Sequence, residues 1–237
     1  MKRSLPITTI FLDIGGVLLT DGWDHHARRR AAESFKLKWG EMVERHHLMF
    51  DAYEAGKVTL EEYLKLVVFY RERPFTRAQF RRFMFAQSKP YPKMIELIAR
   101  LKVQHALKVV VVSNEARELN AYRIREFRLQ QCVDFFVSSC FVHIRKPDAD
   151  IFRLALDMSQ VRARQVLYID NTPLFIRIAE GLRIQSLLHV GYGSTRTKLA
   201  SFGLHDEQGP RRRTALRGAS RLSAGAPSSM ASIHQGT

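Results

Sequence analysis

The chain has 237 residues, 46% of them hydrophobic, and a formal net charge of +15. That is enough apolar material for one sizeable core plus a smaller second domain, and it excludes a mini-protein that depends on disulfide or metal staples. Only two cysteines occur, Cys132 and Cys140, with no framework spacing, so a reducing cytoplasm fits better than export.

In chain order, the opening "MKRSLPITTIFL" carries the basic and apolar regions of a secretory signal. Asp13 interrupts the apolar run, however, and no small-residue cleavage site precedes the next charges. The segment 8–14, "TTIFLDI", is therefore read as a first core strand with a carboxylate at its end. No window approaches the ~18 uninterrupted apolar residues of a membrane helix, so a soluble protein with no membrane partner is expected.

Nearly ninety residues without a convincing strand follow. "TLEE" at 59–62 and "TRAQ" at 76–79 read as capping boxes, and Gly56 in "YEAGKV" as the reversal point before the first of them. "KPYPKM" returns the chain to the core, with Pro92 in the first turn of a helix carrying Met94, Ile95, Ile98 and Leu101. β-rich runs then alternate with helical patterns: "KVVVVS" at 108–113, "FFVSS" at 135–139, "VLYID" at 166–170 and "SLLHV" at 186–190. Between them, "DADIFRLALDM" places Ile151, Leu154, Ala155 and Met158 on one stripe.

The alternation predicts an α/β fold, a Rossmann-like parallel sheet with helices on both faces, plus an inserted α-helical domain. The core is expected over 1–17 and 90–205 and the helical insertion over 18–89. Residues 206–237, rich in Arg, Ser, Ala and Gly, are read as a basic, disordered tail.

In open α/β sheets, ligands bind beyond the carboxyl ends of the strands. The polar residues there are Asp13, Ser113, Asn114, Lys146 a little beyond the third strand, and Asp170 and Asn171. A carboxylate, a hydroxyl, a lysine and a further carboxylate form a coherent set for phosphoryl transfer. Alone, each has a plain alternative: Asp13 as a turn residue, Ser113, Asn114, Asp170 and Asn171 as helix caps, Lys146 as a solvated loop lysine.

The four segments "FLDIGGVLL", "VVVVSNE", "IRKPDADIF" and "VLYIDN", in that order, resemble the four motifs of the haloacid dehalogenase-like (HAD) hydrolase superfamily. The resemblance is closest to members with a helical cap inserted after the first motif. Within them, the D-x-G-[GN]-V form and "YEAGKVTLEEYL" resemble a bacterial phosphatase group acting on small sugar phosphates. The resemblance implies a magnesium-dependent phosphatase of a small phosphorylated metabolite, working through an aspartyl-phosphate at Asp13. It implies Asp13, Ser113 and Lys146 as catalytic residues, with Ser113, Asn114 and Lys146 binding substrate. Asp13, the Gly15 carbonyl, Asp170 and Asn171 are the expected holders of Mg²⁺.

The sequence departs from the family pattern twice. Gly15 stands where most phosphatases of the superfamily carry a second aspartate as general acid and base, leaving protonation to water or a cap residue. Asn171 and Phe175 stand where the fourth motif usually has an acid and an asparagine. These departures keep two alternatives open, a metal-independent 2-haloacid dehalogenase and a catalytically weak scaffold serving as a binding module.

The doublets His25–His26 and His46–His47 are read as surface histidines, since adjacent helical residues diverge by about 100° and no cysteine lies nearby. The arginine runs 28–30 and 211–213 lack interleaved aromatics, so nucleic acid is not the favoured partner.

Overall fold

The computed structural model describes residues 5–207. The proposed tail, apart from its first two residues, lies outside them. Five strands, β1 (Thr9–Leu12), β2 (Lys108–Ser113), β3 (Phe135–Ser138), β4 (Val166–Asp170) and β5 (Gln185–Leu188), form one sheet in the order β3-β2-β1-β4-β5. Every pairing is parallel. β1 is thus central, with Thr9 opposite Lys108 on one side and Val166 on the other.

The period of two along each strand sends alternate side chains to opposite faces. Ile10, Leu12, Val109, Val111, Leu167 and Ile169 pack on one face, against α5 (Pro92–Gln104) and α10 (Tyr192–Ser201). Phe11, Val110, Val112, Val166 and Tyr168 pack on the other, against α8 (Asp150–Ser159) and α9 (Pro173–Gly181). Both faces being covered explains why these strands read as continuous apolar runs.

Between β1 and α5 the chain makes four helices, α1 (His25–Ser34), α2 (Trp39–Glu54), α3 (Leu60–Val67) and α4 (Arg77–Ala86). Both capping boxes form, Thr59 with Glu62 and Thr76 with Gln79, and each satisfies backbone donors at a helix start, worth about 1 kcal/mol. These helices bury a core of their own around Trp23, Tyr63, Phe80 and Met84, which reaches Ala116 and Leu119 at the edge of α6 (Arg117–Glu126); a single turn, α7 (Ser139–Val142), follows β3.

The outgoing and returning chains run side by side. Thr20 N donates to the Lys89 carbonyl at 2.8 Å, and Tyr91 N to the Leu18 carbonyl at 2.8 Å.

The structure departs from three sequence expectations. α8 buries Ile151, Phe152, Ala155 and Ser159, while Met158 faces solvent. The helix is rotated to bring Phe152 edge-on to Tyr168. Second, Asp206, placed in the tail from composition, is enclosed and pairs with Arg100 at 2.8 Å and Arg196 at 3.2 Å. Third, His46 is buried, whereas His25, His26 and His47 are exposed. Among the described residues no helix is long and apolar enough to cross a membrane.

Candidate active site

The carboxyl ends of β1 and β4 and the loop preceding α8 converge on one ammonium. Asp13 follows β1 directly, and its N–H extends the ladder to the Ile169 carbonyl at 3.0 Å. Lys146 Nζ lies 2.8 Å from Asp13 Oδ1, 2.7 Å from Asp170 Oδ2 and 3.1 Å from the Tyr168 hydroxyl. The Phe175 ring closes over it, 4.7 Å from ring centroid to Nζ.

This lysine is 1% exposed, so its charge survives burial only through its partners. Burial disfavours the ammonium, but Asp13 and Asp170 outweigh it and hold the Lys146 pKa above its ordinary value. Burial also pushes the Asp13 carboxyl up, to about 6, with Asp170 adding and Lys146 opposing.

The other sequence-nominated residues divide into those facing the cleft and those holding its frame. Asn114 lines the cleft, yet both ends of its side chain grip the backbone of Lys146: Nδ2 donates to the Lys146 carbonyl at 2.8 Å, and Oδ1 accepts from Lys146 N–H at 2.8 Å. Ser113 is buried, with its hydroxyl accepting from Ile14 N–H at 3.4 Å and donating to Glu115 at 3.3 Å. Asp170 is fully enclosed. Its Oδ2 meets Lys146 and the Tyr168 hydroxyl, and its Oδ1 accepts from Thr172 N–H at 2.7 Å.

Of the expected holders of Mg²⁺, Asp13, Gly15 and Asn171 line the cleft, with Asp21 beside them, whereas Asp170 is enclosed. A carboxylate, a backbone carbonyl and an amide oxygen fit a hard cation such as Mg²⁺, which keeps several waters and takes phosphate oxygens besides one or two carboxylates. Among the described residues no three His, Cys, Asp or Glu side chains cluster to hold a metal by themselves.

Above the strand ends opens a cleft of about 670 Å³, walled on one side by the sheet and on the other by α1 and α2. His46 lines it as a neutral ring: burial lowers its pKa to about 3. Trp23 Nε1 donates to the Tyr63 hydroxyl at 2.9 Å, and that hydroxyl meets His46 Nδ1 at 2.8 Å.

Four further residues complete the site. Arg123 Nη1 contacts both oxygens of Glu115, at 2.6 and 2.8 Å, and both residues are buried. Its other terminal nitrogen donates to the Thr20 carbonyl. Asp21 lies in the cleft beside Gly15 and hydrogen-bonds Asn171. Asp21 is exposed at the cleft mouth, and desolvation on its inner side together with the nearby Asp24 raises its pKa. Tyr168 completes the set, donating to Asp170.

A sequence model for haloacid dehalogenase-like hydrolases matches residues 7–174, which spans the polar residues of this constellation, Phe175 lying one position beyond. The chain belongs to that family.

Solved HAD structures share its fold. A HAD family enzyme of Bacteroides thetaiotaomicron superposes with a TM-score of 0.71 at 16% identity, covering 83% of this chain and 99% of that one. The same enzyme is also known in complex with magnesium and inorganic phosphate, with a TM-score of 0.66, 17% identity, and coverage of 77% and 93%. The L-2-haloacid dehalogenase of Xanthobacter autotrophicus, with chloropropionic acid covalently bound, superposes with a TM-score of 0.55 at 14% identity, covering 84% and 85%. A search of curated protein sequences finds no match.

Proposed function

We propose that this HAD hydrolase is a Mg²⁺-assisted phosphatase of small phosphomonoesters, with Asp13 as its nucleophile and helices α1–α4 as a cap over the site. The observation that carries the reading is the position of Asp13. It stands at the end of the central strand and lines the cleft, with Oδ1 fixed by Lys146.

Asp13 Oδ2 attacks phosphorus and forms an aspartyl-phosphate, which water then cleaves. The Lys146 ammonium offsets repulsion between an anionic nucleophile and an anionic substrate, and backbone amides at the strand ends donate to phosphoryl oxygens, while Ser113, whose hydroxyl is engaged by Ile14 N–H and Glu115, holds the frame. Mg²⁺ held by Asp13, the Gly15 carbonyl and Asn171 would supply further neutralisation of phosphoryl charge. In this reading Asp170 orients Lys146 in place of binding metal, because both of its oxygens are engaged within the protein.

The magnesium and phosphate bound to the Bacteroides thetaiotaomicron enzyme support the same chemistry. The cleft volume of about 670 Å³ suits a small phosphorylated metabolite.

The test is hydrolysis of p-nitrophenyl phosphate with and without Mg²⁺. Asp13→Asn is expected to lose at least ~10³-fold in kcat/KM, the scale of removing a nucleophile. Wild-type rates in Asp13→Asn, or chloride release from 2-chloropropionate in EDTA without phosphatase activity, would replace the phosphatase reading.

A further inference from the structure

The arginines and the lysine that line the cleft are Arg28, Arg123, Arg145 and Lys146. All but one are matched by carboxylates within the protein. Lys146 lies between Asp13 and Asp170, Arg123 contacts Glu115, and Arg145 reaches Asp51 at 2.5 Å and Glu54 at 2.8 Å. Arg28, on α1, differs: among the described residues no carboxylate oxygen comes within 4.0 Å of its guanidinium.

A guanidinium keeps its charge and presents five N–H donors in a planar fork. In Arg28, Nη1 donates to the Trp23 carbonyl at 2.6 Å, and Nε is buried without a partner. Desolvation lowers the Arg28 pKa, opposed by Tyr63, Asp24 and Glu54 from beyond ion-pair distance. Those two carboxyls are engaged elsewhere, Asp24 with Ala27 N–H at 2.6 Å and Glu54 with Arg145.

A second donor stands on the same wall. The Tyr63 hydroxyl has one proton, and Trp23 Nε1 can only donate, so the hydroxyl accepts from Trp23 and gives its proton to His46 Nδ1. The neutral His46 ring therefore carries its own proton on Nε2, which has no partner among the described residues. His46 is 7% exposed and lines the cleft, and the charge of Arg28 helps to keep it neutral. The α1–α2 wall thus offers a guanidinium and an N–H donor with no acceptor between them, across the cleft from the sheet that carries Asp13.

We propose that Arg28, with His46 beside it, binds a carboxylate on the leaving group, so that the substrates are phosphate monoesters of hydroxy acids. The inference rests on the phosphatase reading. The planar fork matches a carboxylate, which can accept two parallel N–H bonds. One guanidinium and one neutral N–H balance a single negative charge, whereas a second phosphate dianion would leave charge uncompensated in a desolvated wall.

The test compares kcat/KM, in the full chain with Mg²⁺, on substrate pairs that exchange a carboxylate for a hydroxymethyl group. The pairs are phosphoglycolate against ethylene glycol monophosphate, and 3-phosphoglycerate against glycerol 3-phosphate. Wild type is expected to favour the carboxylate by at least ~10-fold in one pair or both, the scale of a hydrogen bond to a charged group. In Arg28→Gln that preference is expected to fall to within ~3-fold of unity. Arg28→Lys keeps the charge without the planar fork and is expected to lose most of the preference as well.

Equal losses on both members of a pair in these variants would make Arg28 a structural residue of α1 and overturn the proposal. A wild type that cleaves p-nitrophenyl phosphate but favours the carboxylate in neither pair, or cleaves no member of either, would also overturn it and leave the phosphatase reading standing. Failure of the wild type on p-nitrophenyl phosphate and on both pairs would instead overturn the phosphatase reading, and this inference with it.

Discussion

Replacing Arg123 with methionine removes a cation from a site where it cannot be spared. Arg123 is 2% exposed and its partner Glu115 3%, and one guanidinium nitrogen contacts both carboxylate oxygens. Deleting one member of such a pair strands the other charge in a low-dielectric interior, which costs about 3–5 kcal/mol. The Thr20 carbonyl loses its donor as well.

For a chain of this size each kcal/mol lowers Tm by about 2–4 °C, so Arg123→Met should melt about 6–20 °C below wild type. Glu115→Gln combined with Arg123→Met removes the stranded charge and should recover at least half of the loss. Calorimetry and urea unfolding measure both quantities. A loss below ~1 kcal/mol in the single variant, or a double variant no more stable than the single, would refute the assignment of a buried, mutually dependent pair.

Two further stability experiments concern His46 in α2 and the turn at Gly56. Because burial holds His46 neutral down to about pH 3, its unfolded form gains a proton below its usual pKa near 6.5 while the folded form does not. Stability is thus lost as pH falls below about 6.5, and by pH 5.5 wild type should lose ~1–1.5 kcal/mol more than His46→Gln relative to pH 7.5; a constant gap between the two would contradict this. Gly56, with φ 65°, packs against the Cys140 backbone, whereas Gly203, with φ 81°, has nothing within 4 Å of a built Cβ. Gly203→Ala should cost only the ~1–2 kcal/mol of the left-handed conformation, and Gly56→Ala clearly more; equal losses by calorimetry would show that the close approach at Cys140 is unimportant.

The sheet was legible because its strands are buried on both faces: unbroken runs such as "KVVVVS" leave little choice of structure. The ends of those strands pointed to Asp13, Lys146 and Asp170, which the fold brings onto one ammonium. Tyr168 was also within reach, since residues two apart on a strand share a face and Asp170 follows it by two.

Asp21 and Arg123 were not legible. Asp21 reaches Gly15 only because the chain doubles back past the strap formed with Lys89, a tertiary event without a local signature. α6 buries Leu119, Asn120 and Arg123, so its inner face is polar and hydrophobic periodicity says nothing about it. Single-residue patterning also failed at the His46–His47 doublet. The two rings diverge, and only the first meets Tyr63.

The place of β1 in the sheet has a consequence for how the protein is made. Of the five described strands β1 is made first, yet its two neighbours pair it through Lys108 and Val166. At about 5–20 residues per second, some 5–20 s pass before β2 exists, and longer before β4 does. Helices α1–α4, whose contacts are mostly local, can condense in that interval. The segment Ile10–Leu12 cannot. A nascent or truncated chain ending before Val166 leaves one edge of its central strand open, a template for pairing with other chains that the finished sheet closes on both sides.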